Sequence, residues 1–446
     1  MPLFSHPVPE AVVAYRAGVA IPAAQFLADV ERLAAALPPG GHVINVCADR
    51  YRFLVGFAAS VRAGKVSLLP PTHTPEVVRH LAAFAPDVFC LTDAHDCDID
   101  LPRMRYPDSA AGPESSSHPW RVPEIAADSV VAYVFTSGST GAPVPHRKTW
   151  GRLVRCVLDG AERLGLERAH AVLATVPPQH MYGFESSVLL PLLSGGRLCA
   201  EHPFYPADIC ALLESIPRPR ALVTTPIHLR ALLASQTQIP RADLIVSATA
   251  PLTQELAREA EVRFQAPLRE IYGSTETGQL ATRRTAGELD WRLWPHVRLA
   301  LEDGRAWVRG GHLEQPTALC DEVEPTDAEH FRLQGRLADL VNIAGKRSSL
   351  AYLTHQINSI EGVLDAAFFF PGESTADDLG ITRVAAAVVA PTLDAARILE
   401  ELRLRIDPVF LPRPLLKLER LPRNSTGKLP REALQALLTG PHRRRA

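Results

Sequence analysis

Val130-Val-Ala-Tyr-Val-Phe-Thr-Ser-Gly-Ser-Thr-Gly141 joins an apolar, β-branched run to a loop of hydroxyls and glycines. The run predicts a buried strand over 130–135. The loop offers hydroxyls and unhindered backbone N–H groups in one turn, which is what cradling polyphosphate oxygens requires. Behind it, apolar residues at helical spacing predict a helix from Trp150 to Leu164. Outward toward the N-terminus, Gly41 to Cys47 reads as a short strand, Arg50 to Ala63 as an apolar helix and Val66 to Leu69 as a second strand. Leu81 to Phe84 and then Asp87 to Thr92 continue the helix-strand alternation, which predicts a parallel sheet covered by helices. The segment from His95 to Glu124, rich in Asp, Pro and Ser, breaks the pattern and reads as a long surface connection.

Toward the C-terminus, Val172 to Val176, Arg197 to Cys199, Ala221 to Thr224 and Leu244 to Ser247 are strand-like, with helical stretches at Ala207 to Ser215 and His228 to Ala234. They predict a second wound sheet. Beyond Gly335 the texture changes to α+β: a helix from Ala351 to Ser359, strands at Val363 to Phe370 and Val384 to Ala390, and a helix from Leu393 to Arg403. The expected class is therefore α/β, with a large N-terminal domain over 1–335 built of wound parallel-type sheets and helices. A small, mobile α+β domain over 336–446 follows, and roughly 110 residues suffice for an independent unit.

Composition narrows the function classes. A chain of 446 residues, 46% apolar and 22% charged, is long enough for more than one hydrophobic core. A formal net charge of −2 supplies no basic field for nucleic acid or an anionic membrane. The 7 cysteines are odd in number and lack C-x-x-C spacing, which argues against a disulfide framework or a structural zinc site and favours a reducing cytoplasm. Met1 to Glu10 has neither the charged start nor the apolar run of a signal peptide, and no later apolar run approaches the roughly 20 residues of a spanning helix. Neither export nor membrane insertion is expected.

Further motifs accompany the first loop. It is not a Walker A loop, because Gly141 is followed by Ala-Pro-Val and the nearby basic residues are Arg147 and Lys148. Glu270-Ile-Tyr-Gly-Ser-Thr-Glu-Thr-Gly278 sets an aromatic face, a glycine, hydroxyls and a carboxylate within a few positions, a set suited to adenine, an α-phosphate and Mg²⁺. The same residues also suit a strand ending in a turn, with Tyr272 in the core and Glu276 in solvent. Leu333-Gln-Gly-Arg336 continues to Gly345-Lys-Arg347 across the expected domain junction, and Leu421 to Arg431 places Lys428 on a Gly- and Pro-bounded loop.

Together and in this order, these segments resemble the adenylate-forming superfamily of acyl-CoA synthetases, nonribosomal-peptide adenylation domains and luciferases, over nearly the whole chain. The resemblance implies that ATP and Mg²⁺ activate a small carboxylic acid to an acyl-adenylate. It implies a β/γ-phosphate loop of Thr136, Ser137, Gly138, Ser139, Thr140 and Gly141, with Tyr272 and Gly273 at adenine and Thr275 at the α-phosphate. By the same resemblance Glu276 holds Mg²⁺, Asp321 and Arg336 hold the ribose, and Lys428 stabilises the charge of in-line attack. His180, Tyr182, Gly183 and Thr249 fall at the acyl pocket. Ala338, Asp339 and Gly345 fall at the hinge and at the loop that admits a thiol, the phosphopantetheine arm of CoA or of an acyl carrier protein.

The chain departs from that pattern in places. The hinge acid is replaced by Ala338 with Asp339 beside it, and no lysine follows Pro143, leaving Lys148 as a candidate substitute. Ser247-Ala-Thr-Ala-Pro-Leu252 carries more bulk than the family's usual glycines, which narrows the pocket and favours a compact acid. Asn45 to Phe53 looks like compact ligases of aryl-polyene and xanthomonadin-type pigment clusters, which implies an aryl or short acyl acid passed to an acyl carrier protein. A ligase using free CoA and a nucleotide-binding regulator without catalysis are the alternatives.

Overall fold

The computed structural model describes residues 1–107, 120–137, 143–166, 170–250, 252–336, 340–343, 346–371, 383–422, 429 and 431–439. The calls on Gly138, Ser139, Thr140, Gly141, Ala338, Asp339, Gly345 and Lys428 lie outside these residues, as do those on the side chains of Ser137 and Arg336. The chain divides into two compact units, one of residues 1–69, 84–135 and 145–337 and one of 70–83, 136–144 and 338–446.

In the first unit, a six-stranded sheet runs in the order Arg103–Arg105, Val88–Thr92, His42–Asn45, Val66–Leu69, Val130–Ser137, Pro143–Thr149. From Arg103–Arg105 to Val130–Ser137 neighbouring strands pair in parallel. The helix Arg50–Arg62 between two of these strands starts where the Asp49 carboxylate accepts from the Arg52 N–H at 2.9 Å, satisfying an otherwise orphaned donor. The helix Trp150–Leu164 ends where Gly165 takes φ of 70°, a left-handed stop. One expectation needs correction. The segment 95–124 is not wholly a connection, since Arg103–Arg105 adds a parallel edge strand to Val88–Thr92 through Cys90, Leu91 and Thr92.

The second sheet has eleven strands. Its parallel part contains Ala171–Ala174, Arg220–Thr224 and Leu244–Ser247, buried at every position, as strands covered on both faces must be. Alternation divides them between two cores: Leu173, Leu222 and Ile245 enter one, while Ala174, Val223 and Val246 enter the other. Two features depart from the expected wound parallel sheet. The N-terminal hairpin Val12–Arg16/Val19–Pro22 closes one edge, pairing in parallel with Arg197–Cys199. At the other edge, Leu268–Ser274, Gly278–Arg283, Trp291–Leu293, His330–Arg336 and Asp321–Pro325 run antiparallel.

The second unit contains the expected α+β elements. Asp365–Phe369, Ala385–Val389 and Leu415–Lys417 form a three-stranded sheet, and the helices Leu350–Asn358 and Ala395–Arg403 contribute Leu353, Ile357, Ile398 and Leu402 to its core. Lys346 forms an ion pair with Asp407. Among the described residues no helix is long and apolar enough to cross a membrane.

Candidate active site

The site-bearing segment is a hairpin of the antiparallel edge, in which Leu268–Ser274 pairs with Gly278–Arg283 across the turn 275–277. The turn is closed by its own hydroxyls. The Ser274 N–H donates to Thr277 Oγ1 at 3.1 Å, and the Thr277 N–H donates to Ser274 Oγ at 3.2 Å. Gly273 is required there, because a Cβ would overlap the Gly278 carbonyl oxygen. The segment is a strand ending in a turn, and the candidate groups lie on it.

Tyr272 lies on that strand with its ring against Trp291 and Phe331, centroids 5.6 and 5.5 Å away. Its hydroxyl donates to Asp321 Oδ2 at 2.8 Å. Asp321 in turn stands opposite Arg336 in the antiparallel register. The structure thus brings Tyr272, Asp321 and the backbone of Arg336 together at one sheet edge. Thr136 lies at the end of the strand Val130–Ser137.

Glu276 borders a cleft of about 240 Å³, with His146, Lys148, Cys156, Glu185 and His312 also in its wall. The Lys148 ammonium donates to the Thr275 carbonyl at 2.7 Å and to the Glu276 carbonyl at 3.4 Å. Its charge therefore acts on the turn's backbone. Burial lowers the Lys148 pKa, opposed by the nearby Glu185, Cys156 and Glu276. Glu185, buried on the wide helical turn Phe184–Leu189, has its pKa pushed up to about 7 by burial, with Lys148 the strongest opposing influence. The Cys156 thiol donates to Glu185 Oε1 at 3.5 Å, and burial pushes that thiol up. His312 Nε2 lies 2.8 Å from the Thr277 carbonyl, and burial lowers its pKa to about 4. His146 Nε2 sits 4.0 Å from Glu276 Oε1, held below the usual imidazole range by burial.

Of these residues, Glu276 has the donor chemistry for Mg²⁺, a single carboxylate. Mg²⁺ binds through one or two carboxylates together with substrate phosphates. The Glu276 side chain, 36% exposed, offers a hard carboxylate oxygen of the kind Mg²⁺ prefers.

The acyl-pocket candidates are tied into the strand ends. The Tyr182 hydroxyl donates to the Thr224 and Val246 carbonyls, both at 3.1 Å. Gly183 lets the chain pass the Pro177 carbonyl, where a Cβ would overlap. His180 precedes the short helix Met181–Gly183, its carbonyl accepting from the Phe184 N–H at 2.7 Å. Thr249 adopts φ of 80°, which is costly for a β-branched residue, and its buried Oγ1 has no hydrogen-bond partner among the described residues.

Three contributors are absent from the sequence reading: Glu185, His312 and the use made of Lys148. Glu185 had a legible signal, being the one charged residue in Phe184-Glu-Ser-Ser-Val-Leu-Leu-Pro-Leu-Leu193. His312 had none, since only the folded sheet brings it to the turn.

A parallel sheet with an antiparallel edge whose hairpin carries this site is the architecture of adenylate-forming enzymes. The chain belongs to the AMP-binding enzyme family, whose model matches residues 5–310. It is 30% identical to a 4-coumarate–CoA ligase of Halorhodospira halophila over 296 residues, covering 66% of this chain and 73% of that one. An indoleacetate–CoA ligase of Aromatoleum aromaticum is 25% identical over 362 residues, covering 71% of this chain and 69% of the relative. Among solved structures, an o-succinylbenzoate CoA synthetase of Bacillus subtilis superimposes with a TM-score of 0.81 at 18% identity, covering 96% of both chains. That likeness concerns the fold.

Proposed function

We propose that this protein uses ATP to activate an aryl or short-chain carboxylic acid as its acyl-adenylate and then passes the acyl group to a phosphopantetheine thiol. The observation that carries the proposal is the hairpin turn holding Glu276 at the cleft, with Tyr272 and Asp321 hydrogen-bonded on the same sheet edge. In the first step a carboxylate oxygen attacks the α-phosphorus, a new P–O bond forms, and the bond to pyrophosphate breaks. Tyr272 offers its ring to the adenine, Asp321 its carboxylate to the ribose, and Thr275 its hydroxyl to the α-phosphate. Glu276 would hold Mg²⁺, whose charge would offset that of the phosphates. The family resemblance assigns to Lys428 the stabilisation of the negative charge of in-line attack. In the second step a thiol attacks the acyl carbonyl, a C–S bond forms, AMP leaves and the thiol proton goes to solvent.

Two lines support a compact aryl acid: the names of the relatives, and the side-chain bulk of Thr249 where a narrower pocket results. The CoA ligases among the relatives support free CoA as acceptor, whereas the carrier-protein reading rests on the likeness of Asn45 to Phe53. Acid-dependent ATP–pyrophosphate exchange over a panel of aromatic and short acyl acids tests the first step. Exchange should fall about 10²–10³-fold in Lys428→Ala. ATP binding without exchange for any acid would favour the regulator instead. Offering CoA and a phosphopantetheinylated carrier protein side by side, with thioester mass as readout, separates the acceptors.

A further inference from the structure

We infer that Lys148 is a positioning residue for the Glu276 carboxylate, gripping the carbonyl edge of its turn with Glu185 as the buried counter-charge. This rests on reading Glu276 as the Mg²⁺ ligand for ATP. Three consecutive carbonyls, those of Thr275, Glu276 and Thr277, face two side chains from other elements. Lys148, on the strand Pro143–Thr149, takes the first two at 2.7 and 3.4 Å, and His312 takes the third at 2.8 Å. The Ser274–Thr277 hydroxyl bonds close the turn but leave its tilt to those outer contacts.

A half-buried ammonium gives up part of its hydration, which the turn's carbonyl dipoles replace. Glu185 lies in the same cleft wall, its Oε1 accepting from the Cys156 thiol at 3.5 Å, and its carboxylate opposes the lowering of the Lys148 pKa by burial. It stands on a wide helical turn, a local irregularity that often occurs at functional sites. Mg²⁺ tolerates little departure from octahedral geometry. A small rotation of the turn is therefore enough to impair the Glu276 carboxylate while leaving the nucleotide's other contacts in place.

The test is calorimetric titration of the full-length protein with ATP, in Mg²⁺ and in chelator. In the wild type Mg²⁺ should tighten ATP binding. In Lys148→Met that Mg²⁺-dependent gain should shrink about tenfold, the loss typical when a group orienting a metal ligand is removed, while binding in chelator stays as in the wild type. Lys148→Met leaves Glu185 without its cation, so Lys148→Met/Glu185→Gln removes that burden and should regain thermal stability without regaining the Mg²⁺-dependent gain. Lys148→Arg should recover part of it. The inference is overturned by a full gain in Lys148→Met, by a full gain in the double variant, or by a wild type that binds ATP equally with and without Mg²⁺. Because the readout is binding, it stands apart from the proposed activity: a wild type with the Mg²⁺ gain but no acid-dependent exchange would overturn the acid-activation reading and leave this one standing.

Discussion

Arg50, fully buried, and Lys148, half-buried, are both cations that donate to backbone carbonyls, yet the regions around them differ in what else the charge meets. Arg50 is fully buried at the start of its helix, with Nη2 donating to the Ala174 and Val176 carbonyls at 3.0 and 2.8 Å and Nη1 to Ser187 Oγ at 2.5 Å. No carboxylate is among those partners, and burial lowers its pKa to about 10. Lys148 lines a cleft, with Glu185 and Glu276 in the same wall. The difference teaches that one kind of contact serves two ends. A cation facing carbonyls and a hydroxyl deep in the core ties a helix to the sheet, whereas one beside a turn, with carboxylates in the same cleft wall, braces the carbonyls of that turn.

The largest effect expected from breaking this contrast lies at Arg50. Arg50→Met removes three charge-assisted bonds and leaves buried carbonyls without a donor. Unfolding free energy should fall by about 3–4 kcal/mol, read as a lower urea midpoint, while exchange activity per folded molecule changes little. An unchanged midpoint with lost activity would place Arg50 with Lys148 and erase the contrast.

Glu185→Gln sharpens the other side through pH. The unfolded chain releases this proton near the ordinary value of 4.5, the folded protein only near 7. Between those values the folded state holds a proton that the unfolded state has lost, so this residue's contribution to stability declines as pH rises through the window and stays low above it. Glutamine has no such decline. The variant's stability relative to wild type should therefore rise by about 3 kcal/mol from pH 4 to pH 8, followed by thermal melting. A difference independent of pH would show that Glu185 titrates like a surface carboxylate.

The smallest effect concerns Tyr272. Tyr272→Phe keeps the ring on Trp291 and Phe331 and loses the bond to Asp321. ATP affinity should weaken by about 1 kcal/mol, roughly fivefold. A loss of a hundredfold would mean that the hydroxyl holds the whole sheet edge in register.

By itself the sequence determined whatever depends on short-range periodicity and on motif order. The helix Trp150–Leu164 and the strand Leu244–Ser247 occur with the bounds expected, because apolar spacing over a few residues is the signal that burial selects. The family is likewise legible, since the site segments keep their order along the chain. Tertiary structure alone decided the pairing of distant strands and the partners of buried charge. The hairpin Val12–Arg16/Val19–Pro22 reaches the edge beside Arg197–Cys199, and Asp321–Pro325 lies against His330–Arg336, through backbone hydrogen bonds that leave no trace in hydrophobic pattern. The role of Lys148 was undecidable for the same reason. A lysine after a phosphate-type loop reads as a phosphate ligand or a solvated charge until the fold brings the Thr275 and Glu276 carbonyls, 127 and 128 positions away, to its ammonium.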